Sequence, residues 1–465
     1  MPNENKPINK GDIVETKIES LAFGGKGIGR YEGLTLFVEG VVPGQTVRCE
    51  ITKLKKRFAE ARRTEIVDHV EDEQTPACKY FGSCGGCLHQ DIKYEAQAYW
   101  KGRQVSETLQ RIGKIAEETP GMGTEAQPSP LEYGYRNKME FSFHGIGDSL
   151  KLGFKRRGSE TDVLNIHSCP LLPEQCADIP ALVRDYCART GIGSYRHNRG
   201  GYWRKLVVRY SHNSGEMMIH LLTEPAKSHH TIKGLAELLS NHLPQLKSFA
   251  HSTRKGRADI ATGERLISLT GQKYITETLT RADGAEVKYR ITPNAFFQTN
   301  SKGAEVLYRK SVELADPKAD DVVWDLFCGS GGIGMFMAKD VDKMIGIEVS
   351  EESVRSAKEN AELNGLENTS YIVGNLASAK GLPDNLPRPD MVIVDPPRSG
   401  VPDPSLQKLI ELAPSKILYI SCNPSTLARD VAKMDGTYKL ERFAAVDMFP
   451  HTSHVESVAL LTKTV

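Results

Sequence analysis

Three groups of residues in this chain have types and spacing that could do chemistry. The first is a single thiol, Cys422, closing the apolar run I-L-Y-I-S-C-N-P from Ile417 to Pro424. Four large apolar residues in a row suit a strand buried on both faces, and Asn-Pro cannot extend it. Cys422 is thereby expected at the carboxyl edge of a sheet, where open α/β sheets bind ligands. A free cysteine by itself usually packs as a small hydrophobe, so its surroundings must decide. The second group is D-L-F-C-G-S-G-G-I-G, Asp325 to Gly334, whose Gly329, Gly331 and Gly334 match G-x-G-x-x-G, with Glu348 at the spacing of a ribose-binding acid. The third is C-K-Y-F-G-S-C-G-G-C, which puts Cys78, Cys84 and Cys87 within ten residues.

The glycine turn alone would admit a nicotinamide dinucleotide. Asp325 and Phe327 stand just before it, however, and an acidic rim suits the ammonium and sulfonium of S-adenosylmethionine better than a pyrophosphate. Glu348 would hold the ribose hydroxyls, and Phe327 and Asn375 would flank the nucleoside. D-P-P-R-S-G, Asp395 to Gly400, presents a rigid carboxylate for a polar ring edge. Arg398 stands where methylases of exocyclic amines carry an aromatic, which argues against adenine as target. Beside a methyl donor, Cys422 acquires a purpose. The C5 carbon of uracil is a poor nucleophile until a thiolate adds at C6 and generates an enolate. A base must then remove the C5 proton. Glu456, at the start of a final strand, is preferred over His451 and His454, which read as loop residues.

The elements that must position these groups follow from the pattern. From about Ile291 strands and helices alternate as in a doubly wound parallel sheet. The expected strands end at or near Asp325, Glu348, Asn375, Asp395 and Cys422. Residues 1–70 read as a small OB-like β-barrel, with short strands separated by glycine turns. Its basic stripe, Lys53 to Arg63 around Phe58, suits single-stranded nucleic acid. Residues 71–290 read as an α+β domain that carries the clustered cysteines, an amphipathic helix from Tyr94 to Ile115, and a second basic group, Arg136, Lys138, Lys155, Arg156 and Arg157, suited to phosphates. Residues 291–465 form the third, Rossmann-like unit. Three crowded thiols read as ligands of a soft metal, zinc included, with Cys169 chosen as the fourth ligand.

With 39% hydrophobic and 26% charged residues and a net charge of +1, the chain reads as an ordinary globular protein. No apolar run approaches a bilayer span. The polar opening M-P-N-E-N-K-P predicts no secretory leader, and the expected compartment is the cytoplasm, with no membrane and no obligate protein partner.

D-L-F-C-G-S-G, D-P-P-R-S-G, S-C-N-P and H-T-S-H-V-E-S, together with P-N-A-F-F-Q-T-N from Pro293 to Asn300, resemble the RNA uracil-5-methyltransferase family. The N-terminal segment resembles a TRAM domain, and the clustered cysteines resemble the family's ribosomal branch, which carries a [4Fe-4S] cluster. The resemblance implies Cys78, Cys84, Cys87 and Cys169 as cluster ligands. It implies a donor and base pocket of Gln298, Phe327, Glu348, Asn375 and Asp395, with Cys422 as nucleophile and Glu456 as base. The implied substrate is a uridine in structured RNA, 23S rRNA preferred and tRNA the alternative. One departure is Gly332, where some relatives have an asparagine that can reach the donor. Two other readings compete: a cytosine-5 methylase, whose nucleophile usually follows Thr or Pro, and a non-catalytic RNA-binding protein.

Overall fold

The computed structural model describes residues 8–197, 200–225, 229–377 and 385–464; most of the polar opening segment lies outside them. The N-terminal strands, Ile13–Leu21, Gly27–Tyr31, Leu34–Glu39, Thr46–Leu54 and Phe58–Asp68, close into a barrel. Alternation in the first strand turns Val14 and Ile18 inward, where they meet Leu36, Val47 and Ile51. Closure leaves no free sheet edge. In the basic stripe Lys53 pairs with Glu60 at 2.9 Å, and Phe58 packs edge-on against Phe37.

The second sheet has seven strands, with Trp203–Tyr210 and Met217–Thr223 near its middle. The first of these pairs with Lys138–His144 and the second with Leu246–Thr253. One face packs on the helices Ile179–Arg189 and His229–His242, burying Phe141, Leu206, Val183 and Leu235. Its other face is polar, carrying Lys138, Lys205, Arg209 and His220, and it receives the segment that leads to Gln298. Arg209 donates to the Ala295 carbonyl and Asn137 donates to that of Gln298 at 2.8 Å.

The third sheet runs Thr369–Val373, Lys343–Glu348, Val322–Leu326, Met391–Val394, Lys416–Ser421, Glu456–Lys463 and Tyr438–Val446. Its first five strands are parallel, and the last two form an antiparallel hairpin on the edge. The order reverses at Val322–Leu326, so the crevice opens beyond Asp325 and its neighbours on Met391–Val394.

Two segments expected in the central domain serve this third sheet instead. Helix Tyr94–Gly113 sends Val105 and Leu109 into the core shared by Trp324, Ile347 and Tyr419. The hairpin Ile275–Thr280 and Glu286–Ile291 buries Leu279 and Tyr289 against Phe336 and Val323 on the sheet's opposite side. Among the described residues no helix is long and apolar enough to cross a membrane.

Candidate active site and cysteine cavity

The glycine turn leaves strand Val322–Leu326 through Phe327, a non-glycine residue at φ 63°, followed by Gly329 at 53° and Gly331 at 91°. Such φ values strain any residue with a Cβ, and at Gly331 a Cβ would also lie 2.1 Å from Met335. The turn closes on two acids. Gly334 N–H donates to Asp325 Oδ2 at 3.2 Å, and Gly329 N–H donates to Glu348 Oε2 at 3.2 Å. Ser350 N–H fixes the other Glu348 oxygen at 2.9 Å. Gln298, Phe327, Gly329 and Asp395 line one pocket with Asp325 and Tyr308. Asn375 does not: it is exposed, and its Oδ1 accepts from Ala377 N–H at 3.0 Å. It follows the end of the strand at Val373.

The pocket is crowded with buried acid. Asp325 is 1% exposed, and burial together with the Asp395 charge pushes it up to about 8, while its Oδ1 has no hydrogen-bond partner. Burial pushes Asp395 up to about 7. Glu456 is also buried, and desolvation and Asp395 hold it well above the usual carboxylate range.

Cys422 and Glu456 are brought together by strand register. The antiparallel pair aligns Ser421 with Ser457, so the next residues outward are the thiol and the carboxyl group. Asn423 ends the strand and caps the helix Pro424–Lys433, its side chain accepting from Ser425 N–H. Its amide also donates to the Arg398 carbonyl at 3.1 Å, tying the Cys422 turn to D-P-P-R. Burial raises Cys422 to about 11, Glu456 and Asp395 add to this, and Arg398 opposes it. The alternative bases are used elsewhere. His451 is fully buried, stacked on Tyr133 at 4.2 Å and held by Gln97, and burial lowers it to about 4. His454 is likewise lowered to about 4 by burial and lies edge-on to Phe449.

Cys78, Cys84, Cys87 and Cys169 line a single cavity of about 230 Å³ between the linker and the central sheet. Its lining contains no histidine and no carboxylate, so the only strong metal donors there are sulfurs. Among the described residues no three His, Cys, Asp or Glu side chains lie close enough to hold one metal ion. Hydrogen bonds already aim at the sulfurs: Gln90 Nε2 donates to Cys87 at 3.2 Å and Gly86 N–H to Cys84 at 3.4 Å. The second basic group proves to frame this loop. Arg157 donates to the Cys87 carbonyl, Arg136 and Lys155 line the cavity, and Arg156 pairs with Asp162 at 2.6 Å. Lys138, the remaining member, pairs with Glu140 at 2.6 Å.

A model of the tRNA (uracil-5-)-methyltransferase family matches residues 229–383 and 384–464. A relative from Caldanaerobacter subterraneus, described as an uncharacterized RNA methyltransferase, is 39% identical over 98% of this chain and 99% of its own length. The chain belongs to the uracil-5-methyltransferase family. A second such relative, from Nitratidesulfovibrio vulgaris, is 35% identical over 97% of this chain and 96% of its own. Residues 7–63 match the TRAM domain. The crystal structure of Pyrococcus abyssi tRNA (uracil-54, C5)-methyltransferase in complex with S-adenosyl-L-homocysteine is similar over 97% of this chain and 100% of its own, with a TM-score of 0.74 at 27% identity. Membership makes the chain an S-adenosylmethionine-dependent RNA methyltransferase of the uracil-5 type, and the nicotinamide reading falls.

Within this family member, Asp325 fits the acidic rim expected beside the donor, its buried Oδ1 having no hydrogen-bond partner. Tyr308 lies in no motif; it is one residue of the amphipathic helix Ser301–Ala315, and only folding brings its hydroxyl over Gly332.

Proposed function

We propose that the chain transfers methyl from S-adenosylmethionine to C5 of a uridine in structured RNA, with Cys422 as nucleophile and Glu456 as base. The supporting observation is the register that sets these two groups side by side, close enough to Asp395, which lines the glycine-turn pocket, for its charge to act on the thiol. Cys422, which is partly exposed, loses its proton to solvent and adds to C6 as the thiolate, and the π electrons move onto O4. The C5 carbon of this enolate attacks the sulfonium methyl, releasing S-adenosylhomocysteine. Glu456, as carboxylate, takes the C5 proton; the C5–C6 double bond re-forms and the thiolate leaves. The uridine must leave its stack for C6 and C5 to reach these groups. Asp395 would hydrogen-bond the ring edge, Glu348 the donor ribose, and Gln298, Phe327, Gly329 and Gly331 the remainder of the donor pocket.

In this reading the four cavity cysteines hold a [4Fe-4S] cluster. Four cysteines lining one cavity that holds no histidine and no carboxylate support it. The cluster would fix the loop Cys78–Gln90, whose Leu88 and His89 N–H groups grip the His451 carbonyl at 2.8 and 3.1 Å. Its role is architectural.

The RNA is 23S rRNA in our reading, on the combination of TRAM barrel and clustered cysteines. Transfer RNA is the second reading, favoured by the end-to-end likeness to a tRNA enzyme. Incubating the purified protein with labelled S-adenosylmethionine and either RNA from a strain lacking it decides the matter. We expect 5-methyluridine in 23S rRNA. Label confined to tRNA selects the second reading, and 5-methylcytidine overturns both.

A further inference from the structure

Gly332 is roofed by a tyrosine. A Cβ built at Gly332 would lie 2.6 Å from the Tyr308 hydroxyl oxygen and 3.5 Å from Cζ, so the phenol rests directly on the glycine turn. Tyr308 is 4% exposed, packs edge-on against Phe336, and lines the pocket together with Gln298. It lines the pocket with Asp325, Gly332 and Ile333, and Glu348 accepts from the turn at Gly329. A ribose held by Glu348 therefore leaves the amino-acid end of a donor toward Asp325 and Tyr308. Asp325 Oδ1, buried and without a partner, supplies the acid that an ammonium needs there.

We propose that Tyr308 is a donor-binding residue whose hydroxyl hydrogen-bonds the amino-acid end of S-adenosylmethionine, in the space that any side chain at position 332 would otherwise fill. This rests on the reading of the pocket as the donor site. A phenol suits the position because it donates without adding charge. Burial and the charges of Asp395 and Asp325 keep it protonated, so a negatively charged oxygen is not brought beside two acids.

The test is calorimetric titration of the full chain with S-adenosylmethionine, S-adenosylhomocysteine and adenosine, which lacks the amino-acid end. Tyr308→Phe keeps the ring and its packing on Phe336. It should weaken binding of the first two ligands by roughly tenfold, the loss of about one good hydrogen bond, and leave adenosine unchanged. Gly332→Ala should show the same pattern because its Cβ displaces the hydroxyl. The double variant, in which the Cβ meets only the ring, should bind no worse than Tyr308→Phe alone. Glu348→Ala, weakening all three ligands, controls for the location of the site. If Tyr308→Phe binds like wild type while Glu348→Ala does not, or if it weakens adenosine equally, the assignment of Tyr308 is overturned. If neither variant changes binding, the donor-site reading itself fails and takes the proposal with it.

Discussion

Lys101 Nζ lies 2.7 Å from Asp447 Oδ1, and both side chains are cut off from solvent. The ammonium also donates to the Phe449 carbonyl at 3.0 Å, and the Phe449 N–H returns to Asp447 at 2.9 Å. One buried ion pair thus pins the helix Tyr94–Gly113 to the loop that runs through His451 to Glu456. Breaking such a pair leaves a buried charge uncompensated and costs about 3–5 kcal/mol. Lys101→Met should lower the urea midpoint of unfolding by a corresponding amount, and the double variant Lys101→Met/Asp447→Leu should recover a large part of it. Equal stability of wild type and Lys101→Met would show that the pair does not tie the segments.

Removal of the base should trap the reaction half-way. With Glu456→Gln, addition and methyl transfer can proceed but the C5 proton stays, so a protein–RNA complex that survives denaturing gels should accumulate in the presence of S-adenosylmethionine. Cys422→Ala should give no complex and no turnover. Glu456→Gln releasing methylated RNA at the wild-type rate would assign the base elsewhere.

The thiol's reactivity should follow its neighbours' charges. Because Cys422 is raised to about 11, alkylation by iodoacetamide should quicken about tenfold per pH unit between roughly pH 7 and 9 as the thiolate fraction grows. Asp395→Asn removes a negative charge, lowers the thiol's pKa and should speed alkylation at a given pH. Arg398→Ala removes the opposing positive charge and should slow it. The reverse order would mean that these groups do not face the sulfur.

Asp325 is held protonated in the fold at pH values where it is ionised in the unfolded chain. Its contribution is therefore greatest below the unfolded carboxylate range near pH 4, and stability falls as pH rises from there toward about 8. Asp325→Asn should raise the melting temperature at neutral pH while weakening S-adenosylmethionine. The variant melting below wild type at that pH would contradict a stability cost of burying this carboxyl group.

Much of the site could be read in the chain because it sits at strand ends. An apolar run that stops on Asp325, Asp395 or Cys422 announces both a buried strand and what it presents. The pairing of Cys422 with Glu456 was less legible, since it depends on a register between segments more than thirty residues apart. Helix Tyr94–Gly113 shows the limit: its apolar stripe predicts burial but not which sheet covers it. Polar strands such as I-T-E-T-L-T hid for a similar reason, their buried Leu279 alternating with threonines. The basic residues around the cysteines show their charge in the sequence but not their protein partners, such as Asp162 for Arg156 and the Cys87 carbonyl for Arg157. Tyr308 was invisible, being one ring on one helix until the turn at Gly332 is laid beneath it.

The account stands on sulfur adding to a uridine ring, and RNA carrying 5-fluorouridine at the target tests that most directly, because its C5 has no proton to lose. Digestion and mass spectrometry of the protein after incubation with this RNA and S-adenosylmethionine should find a methylated fluorouridine attached to the peptide that contains Cys422. Unmodified Cys422 peptide alone, under conditions where ordinary RNA is methylated, would contradict the account.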